Sequence, residues 1–377
     1  MLCRVVGVVI LCAIEIGLAT GQTQPEQKPP MAEKVFKNVK VLTGIPVDEF
    51  LATMGFFSAS LGMTCTDCHT AESGGSWEKY ADDTELKQTA RRMVGMVAGI
   101  NKAYFGGKRE VTCYSCHRGG DRPLLTPDLA ELYGPPAPPR EPDALVPQAS
   151  KISADQVLDK FIQAVGGAQR LGSLTSFIAK GTYSVYPASE KHEIDIFAKA
   201  PDQRAAIVHN PTAGDTITTY DGHTGWLAAP ATDKPVPLLE LTGGDLKGAK
   251  LDAELSFPAG IKQALMQWRV GYSDQIDGQE VLTVQGTSDG RFPVNLYFDS
   301  RSGLLLRMVR YTDSPLGLNP TQVDYSDYRN VGGVKMPFHW ITTWLDGRAV
   351  TDLTEVQPNV PIDASRFAKP AATRGAK

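Results

Sequence analysis

The chain has 377 residues, which is long enough for two or three domains. Its hydrophobic fraction of 42% and its charged fraction of 21% are ordinary for a globular protein. The net charge of −4 excludes the basic surface that is typical of nucleic-acid-binding proteins, so no nucleic-acid partner is expected.

The N-terminus has the pattern of an export signal. Arg4 supplies the positive start, and residues 5–19 form an apolar stretch interrupted by Glu15, with small residues at 19–21. We therefore predict a signal peptide at residues 1–21 and export to the periplasm. The stretch is short for a transmembrane helix, which needs about 20 apolar residues. An uncleaved signal would instead attach the protein to a membrane.

A helix that leads into a cysteine motif begins after Pro46, a residue suited to the first turn of a helix. From residue 47 onward, apolar side chains recur at helical spacing on one face, which includes Met54. Gly62 is a natural C-terminal stop. The run that follows is Cys65-Thr66-Asp67-Cys68-His69.

The same plan occurs a second time. Residues 82–84 offer N-caps for another helix, whose apolar face includes Met93, with Met96 one turn further on. Two glycines at 106–107 end this helix. The second run follows within a few residues and reads Cys113-Tyr114-Ser115-Cys116-His117.

Both runs have the C-x-x-C-H pattern, which is the attachment signal for a c-type haem. Two thiols three positions apart can bond to the two vinyl groups of one porphyrin, and the next residue, a histidine, then reaches the iron. The sequence therefore predicts two covalently bound c-type haems. We expect attachment through Cys65, Cys68, Cys113 and Cys116, with His69 and His117 as iron ligands.

The cysteine count supports haem attachment. The chain has six cysteines, and Cys3 and Cys12 would leave with the signal peptide. All the others belong to the two runs, which leaves none for structural disulfides. A zinc site would need four ligands that converge on one ion. The four cysteines could supply them, but this reading leaves the histidine after each pair unexplained.

The sixth iron ligand decides the chemistry. A methionine thioether closes the iron site and favours electron transfer, whereas an open site permits peroxide or small-gas chemistry. Met54 lies on the helix before the first run, while Met93 and Met96 compete for the second haem. Met63 is too near the attachment turn to reach round. A methionine on the apolar face of a helix is also ordinary core filling.

Beyond the second run the composition changes. Residues 121–150 contain eight prolines, which predicts a semi-rigid extended linker. A helix is predicted near residues 153–165 and another at 259–268. Otherwise β signals dominate. The candidate strands are 176–186, 193–200, 205–209, 216–220, 225–228, 281–285, 294–299, 304–311, 321–329 and 339–345.

The predicted fold class is α+β with two domains. A mainly helical dihaem cytochrome c domain would occupy residues 22–120, and a curved, mostly antiparallel sheet with a few helices would occupy residues 151–377. No catalytic constellation is visible in the second of these domains. Its four histidines are scattered and have no nearby nucleophile pattern.

Residues 38–120 resemble the dihaem module of the photosynthetic reaction-centre cytochrome c subunit family. The matching stretches are 38–42, 49–54, 90–93, 100–101 and 111–119. In that family the methionine after Ala-Arg-Arg is an iron ligand, so the resemblance implies Met93 for the second haem and Met54 for the first. The family subunit usually carries four haems, whereas this chain has two runs. Only the electron-carrier module is therefore expected to carry over.

The layout after the linker is similar to that of outer-membrane lipoprotein carrier domains. The resemblance implies a hollow apolar face that could hold an acyl chain or a segment of a partner. The expected function is thus an exported dihaem electron carrier, rather than an enzyme, with a C-terminal binding or docking domain. Its expected partners are redox proteins, including membrane-bound ones, and an apolar ligand or lipid. The alternatives are a peroxidase-like enzyme with one open iron and a haem-based sensor.

Overall fold

The structure is a computed structural model that describes residues 29–127, 129, 133–134, 152–188, 190–230, 236–287 and 293–372. Of Tyr272 it describes the backbone only. The predicted signal peptide and most of the predicted linker lie outside these residues. Helices make up the described part before the linker, and a large antiparallel sheet dominates the part after it, as the sequence predicted.

The helical part consists of short segments around two longer helices. The helices are α1 (Ala32–Val35), α2 (Val47–Leu61), α3 (Cys65–Cys68), α4 (Glu85–Tyr104) and α5 (Cys113–His117). Helix α2 ends where Gly62 adopts a left-handed conformation with φ 64°, which costs little for a residue without a Cβ. Helix α4 begins at Thr84, whose hydroxyl accepts a hydrogen bond from the Lys87 amide at 3.1 Å.

Thirteen described strands form one antiparallel sheet. Their order is β6-β5-β4-β3-β2-β1-β13-β12-β11-β10-β9-β8-β7. Strands that follow one another in the chain therefore pair, except β6 and β7, which are the two edges of the sheet, and β1 pairs with β13. The strands are β1 (Ser176–Val185), β2 (His192–Lys199), β3 (Gln203–His209), β4 (Thr216–Tyr220), β5 (Gly225–Ala228), β6 (Leu238–Glu240), β7 (Met266–Ile276), β8 (Gln279–Thr287), β9 (Pro293–Asp299), β10 (Leu305–Asp313), β11 (Leu318–Val331), β12 (Val334–Trp344) and β13 (Gly347–Pro358).

Four further helices accompany the sheet, namely α6 (Ala154–Ala164), α7 (Ala168–Ser173), α8 (Gly243–Leu255) and α9 (Ile261–Ala264). The predicted helix at 259–268 is wrong in its second half, because β7 begins at Met266 and pairs with β8. Helix α8 and strands β6, β7 and β13 were not predicted. All ten predicted strands are present.

The main hydrophobic core lies between the helices and one face of the sheet. The ring of Phe161 of α6 packs against that of Phe298 of β9 in a tilted arrangement with centroids 5.3 Å apart, and Leu158 and Leu296 are fully buried in the same core. Successive residues of a strand point to opposite faces. Accordingly, Phe177 joins this core, whereas its neighbour Ile178 packs in a smaller cluster on the other face.

The helical part packs on two hairpin turns of the sheet. Leu316, in the turn between β10 and β11, is 5% exposed and shares a cluster with Phe56 of α2 and Cys113 of α5. Leu345, beside the turn between β12 and β13, packs against the same cluster. We call Phe56, Cys113, Leu316 and Leu345 the junction cluster. It joins helices α2 and α5 to the sheet.

Polar contacts surround the junction cluster. The buried carboxylate of Asp48 accepts hydrogen bonds from the amide and the hydroxyl of Thr242, at 2.7 and 2.6 Å. The amide side chain of Asn319 donates to the carbonyl of Ala52 at 3.1 Å. Arg109 pairs with Asp313 and donates to the carbonyl of Ser314. Hydrogen bonds of this kind fix the orientation of one packed part on another.

Within the described part of the chain, the structure contains no helix that is both long and apolar enough to span a membrane.

Gly317 offers a test of the junction. A Cβ at this position would lie 2.2 Å from the ring of Phe56, so the ring or the turn must move. We expect Gly317→Ala to lower the free energy of unfolding by about 1–3 kcal/mol, as overpacking does. Urea denaturation of the full chain measures the change.

Gly172→Ala is the matched control, because a Cβ at residue 172 meets no atom within 4 Å. Equal unfolding free energies for the two variants would contradict the close packing of Gly317 on Phe56.

Candidate cofactor sites

The first attachment segment is a single helical turn closed by local hydrogen bonds. The carboxylate of Asp67 accepts from the amide of Thr64 at 2.7 Å and from its hydroxyl at 2.8 Å. This capping arrangement fixes the turn that carries Cys65 and Cys68. The Cys68 thiol donates to the sulfur of Met63 at 3.7 Å. Burial raises the pKa of both thiols, so they remain protonated and uncharged at neutral pH.

The second segment is built in the same way. Thr112 and Ser115 cap the turn reciprocally: the Ser115 amide donates to the Thr112 hydroxyl at 3.4 Å, and the Thr112 amide donates to the Ser115 hydroxyl at 3.0 Å. Cys113 is buried, whereas Cys116 is exposed. The same spacing therefore gives the same local turn twice.

Each motif histidine is held through one ring nitrogen. Nδ1 of His69 lies 3.2 Å from the carbonyl oxygen of Tyr80, and Nδ1 of His117 lies 3.1 Å from that of Gly120. Because a carbonyl can only accept, Nδ1 carries the proton in both rings. In a neutral ring with this tautomer, Nε2 is the nitrogen with a free lone pair, which is the form that binds a metal.

The electrostatics favour a neutral ring at His69. Burial lowers its pKa, and the nearby cations Lys87 and Arg91 lower it further. A hydrogen bond from Nδ1 to a backbone carbonyl also orients the ring and increases the basicity of the other nitrogen. Together with paired thiols that form no disulfide, these rings fit the requirements of a covalently attached haem at each segment.

The four motif cysteines do not form a common metal site. Among the described residues there is no cluster of three or more histidine, cysteine, aspartate or glutamate side chains that could hold an ion. The zinc arrangement considered from the sequence is therefore not formed among the described residues.

The predicted methionines lie on the two longer helices. Met54 of α2 and Met93 of α4 are both partly buried, while Met96 is 46% exposed. Helix α2 packs against α5, which carries the second motif. The N-terminus of α4 binds the first motif instead, since the Thr84 hydroxyl donates to the carbonyl of Cys68 at 2.6 Å. The helix that carries Met54 thus contacts the second run, and the N-terminus of the helix that carries Met93 contacts the first run.

Asn101 has a structural role that sequence reasoning did not identify. Its side chain is 7% exposed and lies at the end of α4. The amide nitrogen donates to the carbonyl of Val111 at 2.7 Å, and the oxygen accepts from the amides of Glu110 and Val111 at 3.1 and 3.0 Å. These three bonds hold the segment that leads into Cys113.

An ion-pair network fixes the start of α4. The carboxylate of Asp83 accepts from Arg91 at 2.7 Å, from Asn38 at 2.8 Å and from Lys40 at 3.1 Å, and these partners hold its pKa well below the usual range. Of the candidate caps predicted at residues 82–84, Thr84 is the cap. The network instead ties residues 38–40 to the helix that carries Met93.

Comparison with known proteins agrees with the resemblance found in the sequence. Residues 15–126 match the family described as photosynthetic reaction centre cytochrome C subunit. The reaction center cytochrome c subunit of Rubrivivax gelatinosus is 37% identical over 99 residues, which are 25% of each chain. That of Thermochromatium tepidum is 36% identical over 98 residues, which are 25% of this chain and 23% of the relative. The chain thus spans about a quarter of the length of these curated relatives.

Solved structures resemble other parts of the chain. A LolA superfamily protein from Nitrosomonas europaea matches 58% of this chain and 98% of its own, with 15% identity and a TM-score of 0.39. A DUF1329 family protein from Desulfovibrio piger matches 57% of this chain and 97% of its own, with 10% identity and a TM-score of 0.40. Both scores are too low to establish a shared fold.

The role of Asn101 can be tested by truncation. We expect Asn101→Ala to lower the free energy of unfolding by about 2–4 kcal/mol, because it removes three hydrogen bonds and leaves backbone groups without partners. Asn101→Asp should lower the free energy of unfolding by less, because its carboxylate still accepts hydrogen bonds from the amides of Glu110 and Val111. Urea denaturation measures both changes.

Lys102→Ala, on the exposed side of the same helix, is the control. If Asn101→Ala is no less stable than this control, then Asn101 does not anchor the second segment.

Proposed function

We propose that the chain is a c-type cytochrome that carries two haems and relays electrons. The observation that carries the proposal is the repeated unit: a capped turn with two thiols three positions apart, followed by a histidine whose Nδ1 is bound to a carbonyl. The similarity of residues 15–126 to reaction-centre cytochrome subunits supports the same conclusion.

The residues would act as follows. Cys65 and Cys68 hold the first group, and Cys113 and Cys116 hold the second. Nε2 of His69 and of His117 would each supply one axial ligand. When bound, each group supplies one-electron exchange at its iron, and a methionine as the sixth ligand excludes other substrates from the metal.

Met54 and Met93 are the proposed sixth ligands, with Met54 opposite His69 and Met93 opposite His117. Their partial burial supports this assignment over Met96, which is 46% exposed. Met63 is engaged with the Cys68 thiol beside the attachment turn.

The part after the linker is proposed to be a binding or docking domain. Its contacts with the helical part, through the junction cluster, place the sheet beside Cys113. An apolar ligand or lipid is the proposed occupant of the hollow face. Redox proteins, including membrane-bound ones, are the proposed electron partners, and the periplasm is the proposed compartment.

Two variants test the sixth ligands in protein made with haem maturation. We expect Met54→Ala and Met93→Ala each to convert one haem from low spin to high spin, because each removes a strong axial ligand. Met96→Ala should leave the spectrum unchanged. Absorbance and electron paramagnetic resonance spectra of the ferric protein report the spin states.

The pairing of ligands can be tested in a chain that carries only the first haem. In the background Cys113→Ala and Cys116→Ala, Met54→Ala should produce a high-spin iron and Met93→Ala should not. If Met93→Ala produces the high-spin iron and Met54→Ala does not, then Met93 binds the first haem and Met54 the second. The contacts of each methionine helix with the other run are compatible with that exchange.

Other outcomes would overturn the function itself. A protein without a c-type absorption band would contradict haem attachment. A wild-type ferric protein that already contains one high-spin iron and turns over peroxide rapidly would be a peroxidase-like enzyme rather than a closed electron carrier.

A further inference from the structure

The hollow of the sheet contains a cavity of about 170 Å³ that combines apolar walls with charged groups. Its apolar lining includes Phe161, Phe177, Ile196, Leu305, Val323 and Trp340. The volume is close to that of an engineered cavity of about 150 Å³ that admits benzene. A ring or a short alkyl chain would therefore fit within it.

The charged groups that line this cavity are mainly positive. Arg204, Arg310 and the exposed Lys335 line it together with a single carboxylate, Asp252, which leaves a formal excess of two positive charges. A charged group that is buried among apolar side chains costs several kcal/mol unless it is paired with an opposite charge. The cavity is therefore electrostatically prepared for an anion.

The two arginines also have hydrogen-bonding capacity to spare. The Nε atoms of Arg204 and Arg310 are both buried, and neither has a hydrogen-bond partner among the described residues. Buried polar groups in native proteins are normally paired, so such exceptions indicate a missing partner. The two side chains come from strands β3 and β10 and line the same cavity.

Helix α8 is shaped to seat one of these arginines. A Cβ on Gly248 would lie 2.0 Å from Nη1 of Arg310. Glycine inside a helix is less favourable than alanine, because its backbone loses more conformational freedom. The absence of a side chain at Gly248 therefore leaves the space that the guanidinium group of Arg310 occupies.

We propose that this cavity binds a small amphiphilic carboxylate. Its apolar body would lie against the aromatic and aliphatic walls, and its two oxygens would accept hydrogen bonds from Arg204 and Arg310. A planar carboxylate matches guanidinium donors in number and geometry. The proposal deepens the ligand-binding role proposed for the sheet, and it does not depend on the haems.

Calorimetric titration of the full haem-loaded chain with octanoate tests the proposal. We expect one molecule of octanoate to bind, and the neutral isostere 1-octanol to bind at least about tenfold more weakly. Arg204→Met and Arg310→Met should each weaken octanoate at least about tenfold, which is the loss expected for one hydrogen bond to a charged group. Arg348→Met, on an exposed strand position outside the cavity, should bind octanoate like the wild type.

Two controls separate binding from folding and from haem attachment. The haem spectrum of each variant shows whether the cytochrome part is intact. Loss of octanoate binding with an unchanged haem spectrum is therefore distinct from a failure of the proposed function. If Arg204→Met does not fold, Arg204→Lys keeps the charge without the planar fork and should bind octanoate with intermediate affinity.

Three results would overturn the proposal. Equal binding of octanol and octanoate would make the cavity an apolar pocket that does not select charge. Binding of inorganic phosphate as tightly as octanoate, with displacement of it, would identify a free-anion site instead. The absence of any octanoate binding would show that the arginines serve the fold alone.

Discussion

The packing of Phe56 between the two parts of the chain is the contact on which the arrangement of the molecule depends. The ring lies against Cys113 and Leu316, and the absence of a side chain at Gly317 leaves it room. Asp48 and Arg109 add polar contacts on either side. Because Cys113 of the second C-x-x-C-H run belongs to the same cluster, the position of the sheet and the surroundings of that run are physically linked.

Within the helical part, short-range contacts shape the two turns that carry the cysteines, whereas the histidines are held by contacts of different range. The two attachment turns are closed by residues one to three positions away, so their shape is a local property of the sequence. The histidines are less uniform. His117 is anchored by Gly120, three residues along the chain, whereas His69 is anchored by Tyr80, which reaches it only because a longer loop folds back. The same Cys-Cys-His pattern thus occurs twice, but the carbonyl that holds the histidine comes from a different part of the chain in each case.

Sequence patterns failed where glycines and neighbouring strands decided the structure. Helix α8 was not predicted, and its Gly244 and Gly248 lie close to Thr312 and Arg310 of the sheet. The predicted helix at 259–268 is cut short because β7 gains a ladder of hydrogen bonds from β8. Tertiary pairing of this kind outweighs local helical preference and cannot be read from a short window of sequence.

The sequence alone determined the motifs, the helices that precede them and most of the strands, because side-chain periodicity, caps and spacing are encoded locally. It also implied the cofactor, since few other uses explain two C-x-x-C-H runs. Only the tertiary structure decided which side chains surround those motifs. Asn101 binds backbone groups nine and ten positions away. The hairpin turn at Leu316 and the arginines in the cavity lie beside residues far along the chain, through contacts that no local pattern specifies.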